Sequence, residues 1–426
     1  MVLLAFLLVF SLAFLGQAKN LVIPGPDSDH KYKPAIASFS LTDISRKDPW
    51  DTNSDRKIAL TVFMPVPEKA CTECALPYMP DQTAKISNEQ FFGDKNKGVF
   101  EKMQIHGCCS SSASIDAAKL PVLVIDGQTD TSRFMYTNLA RYVAANNVAV
   151  VLLDHPHDSS IVEFEDKSVA YNSGRTALSS FSPLTAWNST VTNALDIRVK
   201  DTQFALTSLT SQTLLERVFS NVKFTSGLDI TSYAIAGHAL GGTVATSLGT
   251  SDSRALFSIN LSGSSPPLVS KTPKPVYFIG RQNFLRDNDI NWPTSWQYLT
   301  GPATEFDLQE SEVMDFTDLS VIMELAASDG MKGLAGSGLG RQGVWANHAL
   351  RCFVEGIVKD GMGIGDGKSL SHCVRLFGDE RMVPYAARHA PKAGKGLGGG
   401  KGVGVIDVGD KTSGAVSSRK WRRWFF

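Results

Sequence analysis

The sequence predicts an α/β fold, a mainly parallel sheet with helices on both faces. Patterns of strand length recur along the chain, at residues 58–66, 120–126, 148–153, 232–236, 255–261, 275–279 and 303–308. Helical spacing fills most of the gaps between them, as expected when parallel strands are joined by crossover helices. Residues 233–245, YAIAGHALGGTVA, pass from an apolar run through a tight small-residue turn into a helical pattern. Such a strand, turn and helix is the layout of a nucleophile elbow, in which strand and helix approach too closely for large side chains.

Residues 2–15 form an apolar stretch broken only by Ser11, followed by Gly16, Gln17 and Ala18. The stretch is too short to span a bilayer and ends in a small-x-small pattern, so residues 1–18 are expected to be a secretory signal peptide. The mature chain is then secreted and extracellular. Residues 19–390 read as one large domain with a cysteine-bearing N-terminal extension, and 391–426 as a Gly/Lys-rich tail without a fold of its own. Six cysteines in an exported chain predict disulfides: Cys71, Cys74, Cys108 and Cys109 in one group, and Cys352 with Cys373 in another. The pairing within the first group is left open by the sequence. The 42 basic and 42 acidic residues balance, but the tail carries a basic surplus and the body is acidic. The body therefore offers no basic surface for nucleic acid.

Within the body, residues 58–66 alternate as a half-buried strand does, and 120–126 are continuously apolar, as in a strand covered on both faces. Phe134, Leu139, Tyr142 and Val143 recur at helical spacing, residues 190–215 read as one long helix, and 346–358 as a closing helix. The glycine-rich stretch 328–343 reads as a flexible loop, with no strand leading into it and no GK[ST] to make it a phosphate loop.

The turn is built by Gly237, His238, Gly241 and Gly242, and its tip is Ala239. A methyl group has no oxygen with which to attack an acyl carbon. The elbow is present without a nucleophile.

Five further segments stand in a fixed order around it: YMP at 78–80, DHPHD at 154–158, IVEF at 161–164, SINLSGS at 258–264 and DFTDL at 315–319. With these in view the sequence, over about residues 58–358, resembles the platelet-activating factor acetylhydrolase-like family, especially its secreted fungal members. The resemblance implies an α/β-hydrolase fold and carboxylic ester hydrolysis of short or oxidised acyl groups on phospholipids, by serine, aspartate and histidine without metal or cofactor. The family's GHSxGG falls on Gly237 to Gly242, its NLDG on Asn260 to Gly263, and its HxxFxD on Val313 to Asp318. The triad positions are thus Ala239, Ser262 and Val313. None carries its catalytic group, and loss of a whole triad typically costs about a millionfold in turnover. The oxyanion-hole candidates are the backbone amides of Gln128 and Leu240, which do not depend on side-chain identity. The segment 126–130, DGQTD, lacks the family's glycine-rich pattern and reads as a surface turn.

His155, His157 and Asp158 look at first like metal ligands, but no second ligand set accompanies them, and they read as a hydrogen-bonded loop. His348 reads as a structural residue of the closing helix. Asn188 opens a sequon in a polar stretch and is the expected glycosylation site, whereas the sequon at Asn260 ends a core strand where a glycan would hardly fit. The basic, aromatic end of the tail, RKWRRWFF, could touch an anionic membrane surface. The leading expectation is a degenerate hydrolase homologue that binds a small apolar or acyl-lipid ligand or serves as a scaffold. The competing one is an enzyme with a different catalytic set.

Overall fold

The computed structural model describes residues 20–27, 29–93, 98–172, 184–329, 339–378 and 381–388. Its centre is a nine-stranded sheet whose strands are, in chain order, β1 (Tyr32–Lys47), β2 (Asp55–Pro67), β3 (Val122–Asp126), β4 (Ala149–Asp154), β5 (Tyr233–His238), β6 (Ala255–Leu261), β7 (Val276–Arg281), β8 (Ala303–Leu308) and β9 (Met382–Arg388). Their spatial order is 9-8-7-6-5-3-4-2-1. The six strands from β4 to β8 are mutually parallel, while β1, β2 and β9 join antiparallel.

Four helices flank the site: α1 (Thr137–Ala144), α2 (Ser189–Ser208), α3 (Leu240–Ser251) and α4 (Val344–Gly361). Alternate residues of one strand feed opposite cores. Leu123 and Ile125 of β3 pack with α1 and α4, whereas Val122 and Val124 pack with α3 and the end of α2. A sheet buried on both faces needs apolar residues at every position, which is why β3 and β4 show no alternation in sequence.

The long helix expected at 190–215 is two helices. The first ends at Ser208, and Ser211 starts Gln212–Val218 by accepting a hydrogen bond from the Leu214 amide, at 3.2 Å. A serine that caps a helix competes with continuation of the preceding one. The edge strand β1 was not read from the sequence, because its inward positions include the small Ala35 and Ala37, giving little apolar contrast. β9 was likewise not foreseen.

The disulfides are Cys71–Cys108, Cys74–Cys109 and Cys352–Cys373. The first two staple the antiparallel pair Cys71–Pro77 and Met103–Ser111, which lies outside the main sheet; the third joins α4 to the helix Ser369–Phe377. Residues 1–18, most of the stretch 328–343 and the tail 391–426 lie outside the described residues. Among the described residues no helix is long and apolar enough to cross a membrane.

Candidate functional site

Strand order reverses between β3 and β5: the chain runs from β3 outward to β4, then returns to the other side of β3. In open parallel sheets the crevice at such a switch point, beyond the carboxyl ends of the strands, is where ligands bind. Gln128 follows β3 and Ala239 follows β5, so topology alone brings them together.

At the elbow, β5 ends at His238 and α3 begins at Leu240, with Ala239 between them at φ 51° and ψ −116°. This sharp reversal is the conformation that projects a nucleophile above the sheet. A Cβ on Gly237 would collide with the Gly241 carbonyl, and one on Gly241 with the Asp126 carbonyl. The Ala239 amide donates to the Leu261 carbonyl at 2.9 Å, which places the end of β6, and with it Ser262, beside the tip. Ser262 also has a positive φ of 54°, and its hydroxyl has no hydrogen-bond partner among the described residues. Val313 opens the turn Val313–Phe316, whose Phe316 ring stacks on His238 at 5.2 Å. The structure therefore brings Ala239, Ser262 and the Val313 turn into one neighbourhood.

The side chains there are sealed. Ala239, Leu240 and Ser262 are each 1% exposed and Gln128 2%. His238 faces the α1 side of the sheet, where its Nδ1 lies 2.9 Å from the Tyr136 hydroxyl. Burial, and then the charge of Arg281, depress its pKa to about 3, so the ring stays neutral. The same Tyr136 oxygen accepts the Gln128 amide at 2.9 Å. Of the two oxyanion-hole candidates, the Gln128 amide is thus already engaged. The Leu240 amide stands in the first turn of α3, where helices have no internal acceptor.

The segment 126–130 is not the surface turn expected of it. Asp126 and Thr129 are fully buried, because they sit in an ionic knot. His155 bridges Asp201 at 2.9 Å and Asp126 at 3.2 Å. Arg56 grips Asp201 at 2.6 Å and Asp48 at 2.8 Å. Arg198 bonds Asp126, the Gly127 carbonyl at 2.6 Å and Asp158 at 2.7 Å. Burial works against charge on His155, but Asp126 and Asp201 outweigh it and raise its pKa to about 9. Burial also opposes ionisation of Asp158 and Asp201, and here the guanidinium groups win, holding both below the usual carboxylate range. His155 and Asp158 are therefore parts of a structural network, and His157 between them is half-buried at a positive φ of 70°. The sequence reading missed Arg56, Arg198 and Asp201. The available signal was Arg198 and Asp201, one turn apart on a helix of mixed polarity, where two charges share a buried face.

Two buried acids on β8 do not complete a catalytic set. Asp307 stands level with the elbow tip but three strands from β5, about 14 Å at the usual strand spacing. Glu305 lies two residues lower on the same strand, beside Arg286 at 3.4 Å. His348 is exposed on α4. Asn188 is exposed and caps α2, its side-chain oxygen accepting the Val191 amide, while Asn260 is buried and bonded to Gly263 and Thr246. Among the described residues no cluster of His, Cys, Asp and Glu is suited to a metal ion.

Fold and site together define an α/β-hydrolase-fold protein whose elbow presents alanine. No family model matches the chain. It is 26% identical, over 296 residues, to a probable 1-alkyl-2-acetylglycerophosphocholine esterase of Arthroderma benhamiae, spanning 65% of this chain and 70% of that protein. The resemblance to platelet-activating factor acetylhydrolase-like proteins is borne out, and the chain is homologous to esterases of the α/β-hydrolase family. A ferulic acid esterase from Streptomyces cinnamoneus superposes with a TM-score of 0.62 at 24% identity, covering 80% of this chain and 92% of that one, a likeness in fold.

Proposed function

We propose that this chain is a secreted, catalytically degenerate homologue of platelet-activating factor acetylhydrolase-like ester hydrolases, retained for a binding or scaffold role. The observation that carries the reading is the pairing of a nucleophile-type backbone at Ala239 with an imidazole that cannot serve it. His238, the one histidine beside the tip among the described residues, is turned to Tyr136 and Phe316 and kept neutral by burial. A serine hydrolase needs a base to take the hydroxyl proton and a carboxylate to stabilise the imidazolium. Ala239, Ser262 and Val313 supply neither.

The ligand that fits this reading is small and apolar. A cavity of about 330 Å³ opens between β1, β2 and the Cys71–Pro77 strand, lined by Ile36, Phe63, Leu76, Met79 and Phe134. It does not include the elbow tip. The exposed Asn188 would carry a glycan in the exported protein. A mass shift of the secreted chain on enzymatic deglycosylation, absent in Asn188→Gln, would support export and modification together.

The decisive assay measures hydrolysis of short-chain acyl esters, 1-alkyl-2-acetylglycerophosphocholine among them. The natural chain is compared with the triple variant Ala239→Ser, Ser262→Asp, Val313→His. The proposal expects turnover at the uncatalysed level in the natural chain and a measurable gain in the triple variant. Steady turnover by the natural chain would overturn it.

A further inference from the structure

Away from the elbow, Arg141 of α1 is 1% exposed, and among the described residues no carboxylate lies within ion-pair distance of it. Its Nη1 donates to the Ile23 and Pro24 carbonyls at 3.3 Å each, both long, and its buried Nε has no partner among the described residues. Asp318, whose charge acts on it from further off, already accepts from the Tyr78 hydroxyl at 2.9 Å and the Asn138 amide at 2.8 Å. Burial lowers the Arg141 pKa to about 10, the reverse of the rise that Arg198 gains from its carboxylates. An unneutralised buried guanidinium is costly, and charges of this kind are normally paired.

Beside it lies a cavity of about 130 Å³, room for a few water molecules. Its walls include Arg141, Lys33, His106 and a single acid, Glu73. The strap Ile23 to Pro26 closes one side, held by the Ile23 amide on the Gln104 carbonyl and by the Tyr142 hydroxyl on the Gly25 carbonyl, each within 2.9 Å. Glu73 is shared between Lys33 at 3.6 Å and His106 at 3.2 Å, and so does not reach Arg141.

We infer that this cavity is a binding site for a small oxyanion, a carboxylate or phosphate group, gripped by Arg141 with Lys33 and His106 beside it. Arg141 lines this cavity beside Lys33 and His106, and a planar guanidinium is the group that oxyanions accept in bidentate fashion. Bound there, the anion neutralises the buried charge and ties the strap to α1.

The test uses the mature secreted protein and follows its thermal midpoint and calorimetric binding with inorganic phosphate, acetate or glycerol 3-phosphate, against chloride at fixed ionic strength. A specific site gives a saturable rise in midpoint, as binding to the folded state alone requires. Saturation by acetate alone identifies a carboxylate site. Equal response to both phosphates identifies a phosphate group from any source, and tighter glycerol 3-phosphate a headgroup-like ligand. Arg141→Lys should weaken binding about tenfold by removing the fork. Should that variant fail to fold, the half-exposed positions decide: Lys33→Gln should weaken binding several-fold and Glu73→Gln tighten it. No saturable shift with any of the three anions, or identical constants in the natural chain and both of these variants, would overturn the site.

Discussion

Two regions meet across one pair of strands. On β3, Asp126 enters a knot of buried charges; on β5, its register neighbour Gly237 leads to an elbow whose tip is the uncharged Ala239. The difference has a physical reason. A buried carboxylate held by guanidinium groups is hard to remove, because its loss strands the partner charge in a medium that cannot solvate it. Catalytic polar atoms, by contrast, are held at a cost to stability, and replacing them with methyl or isopropyl groups leaves no unpaired ion behind. Selection on folding alone preserves the knot and is indifferent to the elbow.

The largest expected effect follows directly. Arg198→Leu leaves Asp126 and Asp158 without their main cation, and the loss should be about 3–5 kcal/mol, read from the urea midpoint at unchanged slope. A loss below about 1 kcal/mol would mean that the knot is not the stabilising half of the comparison.

The second test is titration. The His155 pKa rises from about 6.5 unfolded to about 9 folded, so its contribution is complete below pH 6.5 and disappears as pH climbs through 9. The amount at stake is on the order of 3 kcal/mol. In His155→Gln the alkaline decline over that window should flatten; an unchanged pH profile would remove His155 from the knot's energetics.

A smaller effect is expected at Asp307, a buried acid with no cation paired to it among the described residues, whose pKa burial raises to about 7. Because the folded value lies above the unfolded one, ionisation destabilises the fold as pH rises from about 4 through 7. Asp307→Asn should therefore be neutral at pH 4 and more stable by about 1–2 kcal/mol at pH 8. Equal effects at both pH values would show that hydrogen bonding, and not charge, governs the position.

These contrasts also explain what the sequence disclosed. β3, β4, β5 and β7 announced themselves through apolar runs, and the elbow through its glycines, because both signals are local. β1 hid behind small inward residues, and the break at Leu209 to Ser211 behind a serine that also suits a helix surface. The knot was illegible because its members come from five separate segments, and a lone Arg56 or Asp201 looks like any surface charge until topology buries it. At the site, Ala239, Ser262 and Val313 were singled out by resemblance alone. The engagement of the Gln128 amide by Tyr136 was not, since it depends on where a ring eight residues away comes to rest.

The smallest effect sharpens the comparison most. Ala239 keeps φ 51° and ψ −116°, a region where a residue with a Cβ carries about 1–3 kcal/mol of strain. In an active hydrolase that strain holds the nucleophile in place. Here it presents only a methyl group. Glycine adopts this backbone freely, though it brings an entropic cost of about 0.5–1 kcal/mol and forfeits the burial of one methyl, about 0.8 kcal/mol. Ala239→Gly should accordingly raise stability, by up to about 1 kcal/mol, and leave any ester turnover of the natural chain unchanged. A loss of more than about 1 kcal/mol would show that the methyl makes contacts the fold needs, so that the elbow, like the knot, is kept for stability.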